Sequence, residues 1–460
     1  MSRIAIFATV VLWVTGALAK PGHETRESGF LHQGPIFIKN IRIIDGRGNA
    51  PLEGYDIAIV DGKIEQIGRH GSVQARLDAY VISGEGRTVL PGLIDGHSHL
   101  TVNPSGATYK PLEIGRVLKA NLYAGVTTIC DLGSELVIAT DLRDAINDGH
   151  LLGPTIHTVG DIFEEPSERD DFLNAPALSR MADYINLLDL HQERGVDRIK
   201  AYVMIPLIRM QQLATEAHKR DMRLVVDVGA WIGTTAYVRA GIDGWAHVAF
   251  THPLSDEEVE EAKKQGIWAI GTNAIVRQLF RRTNRILTEG VTVLDSPLVA
   301  NLYGEDELTA MRAPEYTTAI IDGFVEAGHH GYGKAFFENS EETWPENGIA
   351  NTKRLIEAGT LVGLGTDPLF PGMFHGEAMH YEMEVWTRGQ VPNLAVIQSA
   401  TYNNAVILQI ENQVGSIQKN LTADLLIVEG NPADQITDTR NIVAVIKGGK
   451  VIDRTALEYR

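Results

Sequence analysis

The sequence predicts an α/β protein: a (β/α)8 barrel of the TIM type, with a flanking β-sandwich built from both chain ends. Two observations carry this. Short β-rich runs alternate with helix-period stretches through the middle of the chain. At its two ends the pattern changes to polar–apolar alternation with tight glycine turns. Regular strand–helix alternation implies a parallel sheet covered by helices, and eight such units imply closure into a barrel.

The barrel opens with VLPGLIDGHSHL, from Val89 to Leu100. The further strands are read as VTTICDLG, TIHTVGD, DRIKAYV, RLVVDVG, IDGWAHV, IWAIGTN and TLVGLGTD. Between them lie EIGRVLKANLYAG, LVIATDLRDAINDG, SRMADYINLLDLHQERG, RMQQLATEAHKR and SDEEVEEAKKQG, all with helical spacing. Ser255 opens the last of these, with Glu258 three residues on, as a capping box. Residues 273–348 break the rhythm and are read either as an elaborated loop over the barrel mouth or as an ordinary crossover with surface helices.

At the start of the chain, IFIKNIRIID, YDIAIVDGKIEQIG and YVISGEGRTVL alternate as strands do; ADLLIVEG and IVAVIKGGKVID do so at its end. The expected organisation is therefore a signal peptide over 1–19, a linker over 20–34, a β-sandwich from 35–90 plus 414–460, and a barrel over 91–413. The signal peptide rests on Arg3, an apolar run from Ile4 to Val14 and the small residues Ala17 and Ala19 before Lys20. It implies export after cleavage near Ala19, and no later segment is apolar enough to span a bilayer.

A formal charge of −18 with no basic block argues against nucleic acid as a partner and leaves a small-molecule substrate, with a homo-oligomer open. Cys130 is the single cysteine, so the exported fold relies on core packing; in GVTTICDLG it reads as a buried small apolar residue.

Chemistry in such barrels collects at the C-terminal strand ends. His97 and His99 are two residues apart at the end of the first strand and so point to one side, as suits one divalent metal; a pair of loop histidines also fits that spacing. Lys200 and Asp227 are single ionisable groups in apolar strands four and five, His247 ends strand six, and Asp367 ends strand eight. Tyr202, on the same face as Lys200, is a candidate substrate contact. Six residues of metal-binding type on five different strands are hard to explain as packing.

With PGLIDGHSHL, AGVTTICDLG, the lysine strand, AGIDGWAH, GLGTDP and ADLLIVEGNP…VIKGGKVID in this order, the chain resembles the amidohydrolase superfamily, in its imidazolonepropionase-like and Xaa-Pro dipeptidase-like branch. The resemblance covers nearly the whole chain after the signal peptide. It implies a metal-dependent hydrolase with one or two divalent ions, Zn²⁺ foremost. His97, His99, Lys200, His247 and Asp367 then match metal ligands, Lys200 being carboxylated by CO2 in a two-metal site and Asp367 also moving protons. Asp227 departs from the pattern, because strand five of the family carries a histidine there; His252 is a less favoured stand-in. An Asp-ligated pair of metals, a single metal on His97, His99 and Asp367, and a site that has lost hydrolysis all remain open. The implied reaction is cleavage of an amide or peptide C–N bond by metal-activated hydroxide. Lactone, ester or phosphotriester hydrolysis is the alternative on the same site, and a non-catalytic binding protein the alternative of another class.

Overall fold

The computed structural model describes residues 29–101, 113–166, 176, 178–202, 205–228, 234–280, 285–286, 292–316, 340–368 and 371–459. The signal peptide and most of the linker lie outside these residues. No described helix is long and apolar enough to cross a membrane.

Six strands precede the barrel: β1 (Phe30–His32), β2 (Ile36–Ile43), β3 (Leu52–Val60), β4 (Lys63–Arg69), β5 (Tyr80–Ser83) and β6 (Arg87–Pro91). The barrel strands are β7 (Leu93–Ser98), β8 (Val126–Asp131), β9 (Thr155–Thr158), β10 (Arg198–Ala201), β11 (Arg223–Val226), β12 (Gly244–Trp245), β13 (Trp268–Gly271) and β14 (Val362–Leu364). Three more, β15 (Leu425–Glu429), β16 (Ile442–Lys447) and β17 (Lys450–Ile452), close the chain.

Strands from both chain ends form an extra sheet, as the patterning predicts, but as one hydrogen-bonded network of nine strands rather than two separate sheets. Its path runs β1-β17-β16-β15-β6-β2-β3-β4, with β5 paired to β2. The reason lies in β2. Its apolar alternation, Ile36 and Ile38, changes phase at Asn40 and resumes as Ile41 and Ile43, and all four isoleucines are buried in one cluster. Asn40 takes φ +54, and its N–H donates to Asp56 Oδ1 at 2.8 Å. Such a bulge bends a strand and shifts its side-chain parity. Residues before the bend pair with β5 and residues after it with β6, so β2 serves both.

The chain leaves this sheet for the barrel across Gly92, where an added Cβ would lie 2.2 Å from Thr127 Oγ1. Strands β7-β8-β9 and β10-β11-β12-β13-β14 are parallel throughout, in chain order. Two seams join the groups. Phe163 N–H donates to Lys200 O at 2.8 Å and Tyr202 N–H to Phe163 O at 2.9 Å. On the other side Thr366 N–H and Asp367 N–H both donate to His97 O, at 3.0 and 2.7 Å. Helices Ile114–Tyr123, Leu136–Asn147, Met181–Glu193, Leu207–His218 and Asp256–Gln265 fall on the stretches read as helical. The last carries the expected capping box: Glu258 N–H donates to Ser255 Oγ at 3.2 Å and Ser255 N–H to Glu258 Oε2 at 2.9 Å. Cys130 is buried on β8, and burial pushes its thiol up to about 12.

In the irregular segment after β13, helix Asn273–Phe280 starts on the buried Glu382 carboxylate, which accepts Asn273 N–H at 2.6 Å and Ala274 N–H. Residues 292–316 lie against helix Ile114–Tyr123 and the C-terminus through Asn301–Tyr123 and Arg116–Glu307 contacts of 2.7 and 3.0 Å. Helix Ser340–Glu357 then leads into β14.

Arg285 of the same segment pairs with buried Glu377 at 2.8 Å, and Arg440 approaches the same oxygen at 2.8 Å. One carboxylate thus joins the segment, the helix Glu377–Arg388 and the turn before β16. Burial raises the Glu377 carboxyl, and the two guanidinium groups reverse this and bring it down to about 2. A depressed carboxylate stabilises the fold above its unfolded pKa and loses that contribution as pH falls through the folded one. Glu377→Gln is therefore expected to cost about 3 kcal/mol at pH 7, the gap to wild type closing between about pH 4.5 and 2. Urea unfolding of both proteins across that range measures it.

Candidate metal centre

The cluster begins with the geometry of β7. His97 lies in the strand and His99 just beyond it, two residues apart and on one side. Opposite, β14 comes unusually close: a Cβ on Gly365 would lie 2.5 Å from His97 Cβ and 2.6 Å from His97 N. Only glycine permits that approach, and it is what delivers Asp367. Asp367 takes φ +47, a left-handed conformation that few side chains other than asparagine, aspartate and histidine adopt. Asp95 closes the seam from beneath. Its Oδ1 accepts Thr366 N–H at 3.0 Å and His97 N–H at 3.1 Å, and its Oδ2 accepts the Thr366 hydroxyl at 2.6 Å. Burial pushes the Asp95 carboxyl up to about 7 despite those bonds.

The histidines are oriented from behind. His97 Nδ1 lies 2.8 Å from Ala246 O and His99 Nδ1 3.0 Å from Gly133 O. A carbonyl oxygen only accepts, so each Nδ1 carries the hydrogen, and in the neutral ring each Nε2 presents a lone pair. Both Nε2 atoms face Asp367 Oδ1, at 3.7 Å from His97 and 3.2 Å from His99. That oxygen is buried and, among the described residues, has no hydrogen-bond partner of good geometry. With both rings neutral, the two Nε2 lone pairs and the carboxylate oxygen form an electron-rich buried space that a cation between them would stabilise. His97, His99 and Asp367 are the group of three or more His, Cys, Asp or Glu donors, among the described residues, whose ligand atoms all lie within 4.8 Å of one another. Two imidazoles and a carboxylate, each supported from behind, fit a divalent metal such as Zn²⁺. Burial, with Lys200 next, holds His97 well below its ordinary pKa, consistent with a neutral ligand.

The other predicted residues surround this group. Lys200 is buried on β10 with Nζ 3.4 Å from His97 Nε2; burial lowers its pKa, with Asp227 foremost among the charges that oppose the fall. His247 Nε2 stands 3.5 Å from Asp227 Oδ2 and 3.8 Å from Asp367 Oδ2, while its Nδ1 is 2.7 Å from Thr272 Oγ1. Asp227, one residue past β11, therefore faces the site through His247. Tyr202 is half-buried, its ring centroid 5.4 Å from Lys200 Nζ. His252 turns away, its Nε2 3.1 Å from Glu258 Oε1.

Asp95 and Thr272 were not singled out in the sequence. Asp95 stood inside DGHSH as a carboxylate on the same strand parity as His97 and His99, a signal that was legible. Thr272 stood near the end of IWAIGTN, but its partner His247 lies 25 residues earlier, just past the neighbouring strand.

A buried His-His-Asp cluster at the C-terminal end of a parallel barrel defines a class of metal-dependent hydrolase. Residues 88–452 match the amidohydrolase family, and the chain belongs to it. Among its relatives it is similar to imidazolonepropionase of Geobacillus kaustophilus (strain HTA426), 25% identical over 91% of this chain and 98% of that protein. It is also similar to ochratoxinase of Aspergillus niger, 22% identical over 89% of this chain and 85% of that protein. Among solved structures it shares its fold with a Xaa-Pro dipeptidase holding methionine in its active site. That match has a TM-score of 0.69 at 20% identity and covers 91% of this chain and 99% of the other.

Asp95→Ala removes the acceptor shared by Thr366 and His97. It is expected to destabilise the fold by about 3 kcal/mol and to weaken metal binding about tenfold or more. Urea unfolding and competition with a chelator measure the two effects.

Proposed function

We propose that this protein hydrolyses an amide or peptide C–N bond, with dipeptides as the substrate class and Zn²⁺ as the metal. The observation that carries the reading is Asp367 Oδ1, a buried oxygen that faces the Nε2 atoms of His97 and His99 and has, among the described residues, no hydrogen-bond partner of good geometry. These three residues would hold the metal. A bound divalent metal supplies Lewis acidity and brings the pKa of water to about 7. In a two-metal form His247 and Asp227 would hold the second ion together with Lys200 carboxylated by CO2.

The chain's own groups account for the proton traffic. Asp367 presents a second oxygen, Oδ2, on the side of His247. In this reading it takes the proton of the attacking water and passes it to the leaving nitrogen, base first and acid second. In a one-metal form His247, neutral and with Nδ1 held by the Thr272 hydroxyl, would donate from Nε2 to the carbonyl oxygen of the scissile bond, and Tyr202 borders the substrate next to Lys200. The likeness to a dipeptidase with an amino acid in its active site supports a dipeptide as the substrate. Export after cleavage near Ala19 belongs to the same reading, and N-terminal sequencing of the mature chain tests it.

The reconstituted protein is expected to release free amino acids from a dipeptide panel that includes Xaa-Pro members. Asp367→Asn should lower the rate by about 10²- to 10⁴-fold. Turnover of lactones or esters with no dipeptide cleaved would replace this reading by the lactonase alternative. No metal uptake and no turnover would leave a binding protein. Asp227→His is expected to keep or raise the metal content measured by elemental analysis. A drop in metal content would remove Asp227 from the second position.

A further inference from the structure

The loop that carries Asp367 returns to the end of β7 a second time. His375, buried further along that loop, places its Nε2 2.9 Å from the main-chain oxygen of His99. The carbonyl only accepts, so Nε2 carries the hydrogen. His99 lies one residue beyond the end of β7, where no strand ladder fixes the backbone. Its C=O belongs to the same peptide plane as the N–H of Leu100, and that N–H donates to Asp131 Oδ1 at 3.0 Å. Asp131 is itself held by the hydroxyls of Ser134 and Thr158, each at 2.6 Å.

A peptide group is rigid. Gripping its oxygen from one side and its hydrogen from the other sets the orientation of the plane, and with it the direction of the His99 side chain. The anchor for His375 is firm on the downstream side. Gly376 takes φ +76, with its missing Cβ only 2.3 Å from Ala120 O, and Glu377 is clamped by Arg285 and Arg440.

We infer that His375 is a positioning residue of the metal centre, which holds the peptide plane between His99 and Leu100 so that His99 Nε2 stays aimed at Asp367. The inference rests on the reading of His97, His99 and Asp367 as a metal site.

The test compares Zn²⁺ affinity, by competition with a chromophoric chelator, in wild type and in His375→Leu, His375→Gln and His375→Asn. Glutamine puts an amide N–H near the place of Nε2; leucine offers no donor, and asparagine offers one too short to reach. Leucine and asparagine should each weaken Zn²⁺ binding about 10- to 100-fold, and glutamine should stay within about threefold of wild type. Thermal unfolding of the metal-free proteins separates this from a general loss of packing. Equal affinity in all four proteins overturns the inference, as does an equal loss in the glutamine and asparagine variants. If the leucine variant does not fold, the contrast between glutamine and asparagine decides alone. Wild-type protein that takes up no Zn²⁺ would overturn the metal site itself and this inference with it.

Discussion

The structure depends on one main-chain oxygen, that of His97, which accepts the N–H groups of both Thr366 and Asp367. This seam joins the first and last strands of the barrel, and it is also the contact that carries Asp367 to the two histidines. Barrel closure and assembly of the site are therefore the same event. The features around the seam serve it. Gly365 removes the side chain that would hold β14 away, and Asp95 pairs with backbone on both sides. Breaking that closure separates the ligands as surely as deleting one of them.

Much of the fold was legible because it rests on periodicity. The helix-period stretches became the outer layer, and Ser255 and Glu258 formed their capping box, since these patterns are decided within a few residues. The extra sheet was legible in its strands but not in its connectivity. Whether it splits in two depends on Asn40, a single residue whose left-handed backbone lets β2 pair with different partners along its length. Nothing in the apolar pattern separates such a bulge from an ordinary change of phase.

The site divides along the same line. His97, His99 and Asp367 stood at strand ends with the expected residue types, and these are the residues whose ligand atoms converge. What supports them was hidden. Ala246 and Gly133 contribute only backbone oxygens, so their side chains carry no sign of the role. His375 is separated from His99 by most of the barrel. Asp227 is the intermediate case: it was visible as a lone ionisable residue in an apolar strand, and its place beside His247 follows from the parallel register of β11 and β12.

The way the imidazoles are held also sets how the site responds to genetic change. The hydrogen on His97 and His99 is fixed by carbonyl oxygens of Ala246 and Gly133, and every amino acid supplies that atom. Substitutions that leave the backbone in place cannot alter the tautomer of either ring. His247 relies instead on a hydroxyl, that of Thr272, which one nucleotide change can remove. The tautomers of His97 and His99 are thus buffered against drift, while that of His247, beside Asp227, is open to it.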